Sequence, residues 1–474
     1  MRNACLLLFG LLSVGIETIK AQYTVLLNFD DTNGANPCGS LTYSGNNLLY
    51  GMTPIGGVYK YGFIFSIDIN GNNYKDLFDF DGINGEDPQG SLILSGSTLY
   101  GITNGGGTLG YGTIFSVDTT GKGYKVLHNF NDTAGEMSIS LGSLVLSGGV
   151  LYGMTEAGGK YNDGCIFSIN TDGSNYKDIL DFNGTNGYEP FGSLAVSGNK
   201  LYGMTSRGGA NSFGLIFSID INGKGYIDIW NFDDTGSNGE TPQGSLIVSG
   251  NKLYGMTMAG GNDAQGNIFS IDTDGTGYIN LLSLNNQPYG QWPTGDLLLL
   301  GNTLYGMAGF GTYGRSQKND SGYIFSINTD GTGFTDLYNF NLRGGYAPRG
   351  SLIAVGNSLY GMTEFGGKYS DGVIFSISDK GTGIDKLIIP TGLISVYPNP
   401  SNGTFNLSLS NVNTAYNIEI YNVLGEKVYS ESLPQSQNNN TINLTAQPSG
   451  VYLYRVITES EELVGEGKVI YNAK

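Results

Sequence analysis

A unit of about fifty residues recurs seven times and limits what this chain can fold into. Aligned on Gly-Ser-Leu, the copies begin at Gly39, Gly90, Gly142, Gly192, Gly244, Gly295 (where Asp296 replaces Ser) and Gly350, 50 to 55 residues apart. A second mark, Leu-Tyr-Gly, places tyrosines at 50, 100, 152, 202, 254, 305 and 360, and a third, Ile-Phe-Ser, places phenylalanines at 65, 115, 167, 217, 269, 325 and 375. Within the fourth copy, Ser193–Val196, Leu201–Thr205, Leu215–Asp220 and Tyr226–Phe232 are strand-length and rich in β-branched and aromatic residues. Ser197-Gly198-Asn199, a Gly208-Gly209 loop and Asn222-Gly223 separate them. That is hairpin chemistry, and no helical periodicity competes with it.

A four-stranded unit cannot cover both of its faces alone, so its neighbours must do so. Radial stacking into a β-propeller achieves this and leaves only short edges. A linear solenoid is the rival, although its rungs are usually shorter. The spacing therefore predicts an all-β chain with a seven-bladed propeller over 22–390. The ends of the array bear on closure. Tyr23–Phe29 matches the fourth-strand pattern of Tyr74–Phe80 yet precedes the first Gly-Ser-Leu. The last repeat's own candidate, Ile384–Pro390, ends in a residue that cannot donate to a ladder. The N-terminal strand is thus expected to complete the last blade.

Gly numbers 77 of 474 residues while Asp, Glu, Lys and Arg make up 14%, a mixture that suits tight turns and excludes a disordered chain. A formal net charge of −18 argues against nucleic acid or an anionic membrane surface as partner. Arg2, the apolar run Ala4–Ile16 and the small residue Ala21 predict a secretory signal peptide over 1–21. The run is too short to span a bilayer, and no other reaches 18 residues, so no transmembrane span is expected in the mature chain. Cys38 and Cys165, two repeats apart, are expected to be free thiols that pack as small apolar groups.

Chemistry on a symmetric array should show where the repeat breaks. His128, the single histidine, falls in a fourth-strand column with Leu27, Phe78, Leu180, Trp230, Leu282 and Tyr338, which is a packing position, and it leaves no Ser-His-Asp or Cys-His arrangement. Asn28, Asp79, Asn129, Asp181, Asn231 and Asn339 form a carboxylate/amide column, broken only by Ser283, with a turn or ladder role. No cofactor is expected. Calcium is the sharper reading of Asp272-Thr273-Asp274-Gly275, but the twelfth position is Ser283 and not an acid. The departures gather in repeat six. Its second-to-third-strand loop, 309–322, is lengthened and carries Tyr313, Arg315 and Lys318, and Tyr289, Gln291 and Trp292 precede it. Arg343 and Arg349 punctuate repeat seven. Aromatic and basic side chains on loops over a rigid scaffold are the material of glycan or anion recognition, so Trp292, Tyr313, Arg315 and Lys318 are the candidate ligand-binding residues.

The Leu-Tyr-Gly-Met-Thr, Gly-Gly and Ile-Phe-Ser series resembles the tandem GloVer (Gloeo/Verruco) repeat of exported bacterial proteins, over residues 23 to about 390. The resemblance implies interchangeable C-terminal anchors and no general activity. Ser66-Ile67-Asp68-Ile69-Asn70-Gly71 resembles the Asp-box turn of sialidase-type propellers, which implies a structural clasp. From Val396 the composition changes. Val396-Tyr397-Pro398-Asn399-Pro400, Gly403-Thr404-Phe405, Val423-Leu424-Gly425, Pro448-Ser449-Gly450-Val451-Tyr452 and Gly467-Lys468-Val469 follow in order. These resemble the C-terminal sorting domain of the type IX secretion system, over 396–474 with 391–395 as linker. The resemblance implies an Ig-like β-sandwich read by that machinery as an address, with Pro398, Asn399, Pro400, Gly403, Gly425, Gly450, Tyr452 and Lys468 as its signal. The chain would then be secreted or held at the outer surface by way of the periplasm. A surface binding or adhesion scaffold for glycans or surface polymers is the leading expectation. A polysaccharide-active enzyme and a purely structural envelope component remain the alternatives.

Overall fold

In a computed structural model, residues 21–131, 136–137, 142–234, 238–284, 292–309, 322–378, 393–397, 401–410, 416–422, 426–434, 439–458 and 463–471 are described. The repeats build seven four-stranded antiparallel sheets among these residues, so the described fold is all-β and propeller-like. In the fourth repeat the strands are Ala195–Ser197, Lys200–Thr205, Leu215–Asp220 and Ile227–Asn231. The central pair explains the recurring motif. Gly203 pairs with Phe217 across the ladder, and a Cβ on Gly203 would lie 2.5 Å from the Phe217 ring, so only glycine leaves room for that aromatic.

Both faces of each sheet are buried. Tyr152, Met154 and Ile166 of the third sheet pack with Leu201, Phe217 and Ile219 of the fourth. Tyr202, Met204 and Ile216, on the other face of the fourth, pack with Leu253, Phe269 and Ile271 of the fifth. Alternate residues of one strand thus feed two neighbouring cores, which is why these strands read as nearly continuous apolar runs. The series returns to its start, because Tyr360, Met362 and Ile374 of the seventh sheet share a core with Leu49, Phe65 and Ile67 of the first.

The fourth strand of the seventh sheet is Gln22–Asn28, paired with Val373–Ser378. Its ladder carries the same single-residue irregularity, between Val25 and Leu27, that the third-to-fourth pairing of the other sheets carries. Tyr23 stacks on Tyr338 of the sixth sheet (centroids 3.7 Å apart, planes 1° apart), and its hydroxyl donates to the Gly344 carbonyl. The expectation for the N-terminal strand is met. Ile384–Pro390 lie outside the described residues.

A second body has its own core. Leu393–Tyr397, Thr404–Ser410 and Asn439–Asn443 form one sheet, and Lys427–Leu433, Tyr416–Tyr421, Gly450–Thr458 and Leu463–Tyr471 form the other. Phe405, Leu407 and Ile442 from the first meet Ile418, Ile420 and Val456 from the second. The first of these strands starts at Leu393, inside the stretch read as linker, because Leu393–Tyr397 pairs with Thr404–Ser410 along its whole length. Among the described residues no helix is long and apolar enough to cross a membrane.

Candidate functional site

The columns that repeat are scaffold. His128 stacks on Tyr176 (3.8 Å, 3°), just as Phe78 stacks on Tyr124 (3.9 Å, 1°) and Trp230 on Tyr278 (4.5 Å, 3°), so the packing reading of His128 holds. The carboxylate/amide column clasps the loop between second and third strands. Asp79, Asn129, Asp181, Asn231 and Asn28 accept from the backbone N–H of Val58, Thr108, Lys160, Ala210 and Lys368, and Ser283 does the same for Asn262. The Asp68 carboxylate accepts from the N–H groups of Asn70 and Asn72, closing a turn. At the calcium candidate, Asp272 faces Lys252 at 3.1 Å, and Asp274 accepts from the Thr276 N–H and hydroxyl. One carboxylate oxygen of each is thus engaged by the chain, and among the described residues no group of three or more His, Cys, Asp or Glu could hold a metal ion.

The axis of the array is different. Each Gly-Ser pair enters an inner strand, and the backbone N–H of the serine donates to the next repeat's serine hydroxyl. The series runs Ser40 to Ser91, Ser143, Ser193, Ser245, Asp296, Ser351 and back to Ser40, at 2.5–3.0 Å. The glycines touch in the same cyclic order: a Cβ on Gly39 would lie 2.3 Å from the Gly90 carbonyl oxygen, and one on Gly350 would lie 2.3 Å from that of Gly39. These seven contacts surround a narrow axial cavity of about 50 Å³. Its wall includes the residue just before the inner-strand Gly in six of the seven repeats, namely Cys38, Gln89, Phe191, Gln243, Thr294 and Arg349; the seventh, Leu141, lies outside the described residues. A column that is different in nearly every repeat therefore converges on one space. Its signal in the sequence is the changing residue before an unchanging Gly, which lies outside the long loops.

Arg349 is held by Glu364, Nε to Oε2 at 2.5 Å. Burial lifts the Glu364 carboxyl above its ordinary range, and Arg349 opposes that. Burial pushes the Cys38 thiol up to about 12, so it is no thiolate at neutral pH, and its Sγ–H donates to the Asn36 carbonyl. Both thiols depart from purely apolar packing, since Cys165, wholly buried, has its Sγ 3.3 Å from the Thr155 hydroxyl; neither forms a disulfide. Hydroxyls, amides and one charge-paired guanidinium can bind polar groups by hydrogen bonds.

Of the predicted loop residues only Trp292 is described; Tyr313, Arg315, Lys318, Tyr289 and Gln291 lie outside the described residues. Trp292 takes φ 56° and its N–H donates to the Gln265 carbonyl, a posture shared by Asn36, Asp87, Glu189 and Thr241, each before a proline. Its backbone is therefore part of the repeat, and only its half-buried ring is particular. Two residues on, Thr294 lines the axial cavity. Gly322, where the long loop ends, sits against Pro348, beside Arg349. Arg343 is exposed.

In the second body, Gly403 takes φ 103° and a Cβ there would meet Thr445 and Tyr471 below 3 Å. Tyr452 is buried and donates to the Pro448 carbonyl, while Lys468 is exposed opposite Leu453. Gly450 has no neighbour that forbids a side chain. Pro398, Asn399, Pro400 and Gly425 lie outside the described residues.

Two family models match. The Gloeobacter/Verrucomicrobia repeat matches residues 14–141 and 127–316, more than half of the chain. The chain belongs to this repeat family. The secretion system C-terminal sorting domain matches residues 395–472, so the repeat protein carries a type IX sorting domain and is secreted or placed at the outer surface. Among solved structures, the repeat protein is similar to the extracellular domain of a one-component system protein from B. thetaiotaomicron (10% identity, TM-score 0.45), covering 96% of this chain and 59% of that one. It is also similar to a fungal alcohol oxidase of the AA5 family in complex with copper (10% identity, TM-score 0.45, 96% and 100% covered). A third likeness is to Trypanosoma rangeli sialidase in complex with the inhibitor DANA (10% identity, TM-score 0.39, 96% and 91% covered). A comparison with curated proteins finds no match.

Proposed function

We propose that this repeat protein is a surface-displayed or released binding scaffold, led out of the cytoplasm by the signal peptide at 1–21. Residues 22–390 form a seven-bladed propeller that presents ligand-binding loops, and an Ig-like module over 396–474 serves as the export address. Its ligands are glycans or surface polymers, held by Trp292, Tyr313, Arg315 and Lys318. The observation that carries this reading is the axial cavity. There the sevenfold repetition fails residue by residue, and the links that line it pack on the second-to-third-strand loops: Pro37, Pro190, Pro242 and Pro348 lie against the glycines that end those loops. Loops over a rigid ring are where a scaffold diversifies its binding.

The test is binding of the purified full chain to a broad panel of glycans and matrix polymers, compared with the variant Trp292→Ala/Arg315→Ala/Lys318→Ala. Binding that falls at least about tenfold in the variant, with unchanged thermal unfolding, is the expected result. Absence of binding across the panel contradicts the reading, and release of soluble sugar from a polysaccharide replaces it with an enzymatic one.

A further inference from the structure

One position in the loop between second and third strands separates two groups among the described repeats. Directly after the residue whose N–H is clasped by the fourth strand, repeats seven, one, two and three carry Tyr369, Tyr59, Leu109 and Tyr161. These side chains are 47%, 56%, 56% and 50% exposed. Repeats four and five place Asn211 and Asp263 there. Single exposed apolar residues are ordinary on a protein surface; the same position on four consecutive sheets, running across the closure point, is not.

The platforms are held in place. The clasping bonds to Lys368, Val58, Thr108 and Lys160 span 2.6–2.9 Å. The next residue is left-handed each time, at φ 76° for Ser370, 69° for Lys60, 83° for Gly110 and 63° for Asn162. The ammonium groups of Lys160 and Lys368 stand 5.0 and 4.7 Å from the centroids of Tyr161 and Tyr369.

We infer that this arc is a carbohydrate platform for an uncharged polysaccharide chain. The inference rests on the loop-bearing face being the binding face. Four rigid, separated apolar surfaces in a series suit a ligand that repeats along its length, each surface taking the C–H face of one sugar ring. Tyrosine supplies large contact area with few rotamers to freeze. The polar neighbours Asn162, Asp163 and Asp371 offer acceptors to sugar hydroxyls. The net charge of −18 disfavours a polyanion, and the lysines beside the rings are already engaged, Lys60 with Asp31 and Lys160 and Lys368 over their own tyrosines, so the polymer is uncharged. A folded protein partner would instead favour one contiguous apolar patch, whereas the further exposed apolar side chains beside these positions, Ile55, Val58 and Tyr61, gather on the repeat-one loop.

The experiment uses the purified full chain and the exposed-surface variant Tyr59→Ala/Tyr161→Ala/Tyr369→Ala. Probes are maltohexaose, laminarihexaose and cellohexaose, with hexagalacturonate as the charged counterpart, read by titration calorimetry and by retardation in gels holding the parent polysaccharides. At least one uncharged probe is expected to bind, with a loss of about tenfold or more in the tyrosine variant and none in Asp263→Ala, which changes the same loop position outside the arc. Three outcomes overturn the platform: no uncharged probe binding, equal binding by the tyrosine variant, or binding of hexagalacturonate alone. Loss in the Trp292 variant alone overturns the platform too, while supporting the repeat-six site.

Discussion

A chain lacking residues 22–29 is expected to lose the folded array, although the deletion touches none of the seven Gly-Ser-Leu marks. The segment supplies the whole outer edge of the seventh sheet, pairing Gln22 with Ser378 through Asn28 with Val373. Phe29 is fully buried in the core between the seventh and first sheets, and replacing such a phenylalanine with alanine costs about 3–5 kcal/mol on its own. The Tyr23–Tyr338 stack and the Asn28 clasp on Lys368 are lost as well. Together these losses are comparable to the ~5–15 kcal/mol net stability of a domain. Circular dichroism and thermal unfolding check this, with Phe29→Ala as the graded version and Tyr23→Phe, which removes one hydrogen bond, costing only about 1 kcal/mol. A truncated chain that melted like the intact one would mean that another strand closes the sheet.

The second large effect concerns the sorting domain and acid. The Glu419 side chain, 9% exposed, faces Lys427 Nζ at 2.6 Å and Arg455 Nε at 2.5 Å, and the Tyr421 hydroxyl donates to it at 2.7 Å. Hydrogen bonding from Lys427 leads in pulling its carboxyl from 4.5 down to about 2, with Tyr421 and Arg455 adding to it. A carboxyl depressed in the folded state stabilises that state above its unfolded value, and the contribution fades as pH falls through 4.5 towards 2. Protection of Tyr416–Tyr421 against hydrogen exchange, corrected for the intrinsic pH dependence of amide exchange, is thus expected to fall between pH 5 and pH 2.5, and less steeply in Glu419→Gln. At neutral pH, Glu419→Ala is expected to cost about 2–3 kcal/mol, between the values for exposed and buried pairs because Lys427 and Arg455 can return to water. If the domain must be folded to serve as an address, that variant accumulates inside the cell. An identical pH profile in Glu419→Gln would remove the network from the account of this domain's stability.

Much of the ring was legible because its determinants are local. Leu215–Asp220 begins and ends where the sequence indicates, because Gly214 and the Asn222-Gly223 turn bracket it. The fourth strand is shorter than its apolar pattern: Tyr226 stacks on Phe217 and bonds the Asn186 carbonyl, and Phe232 bonds Gly214, so neither extends the ladder. The inner strand begins only at Ala195, since the Ser193 N–H is committed to Ser245 across the axis. The axial cavity was not legible in the same way. Cys38 and Arg349 lie far apart in sequence, and their column looks like tolerated variation until closure brings its members to one wall. The tyrosine arc was hidden for a related reason, because Tyr369 and Tyr59 become neighbours only through the N-terminal strand.

The loops share a common face only through that closure, and hydrogen exchange of the intact protein measures it most directly. The amides that pair Gln22–Asn28 with Val373–Ser378 are expected to be protected alike and to lose protection together on denaturant titration, as one cooperative unit. Free-tail exchange in Gln22–Asn28 beside a protected Val373–Ser378 would show that the ring is closed by some other segment.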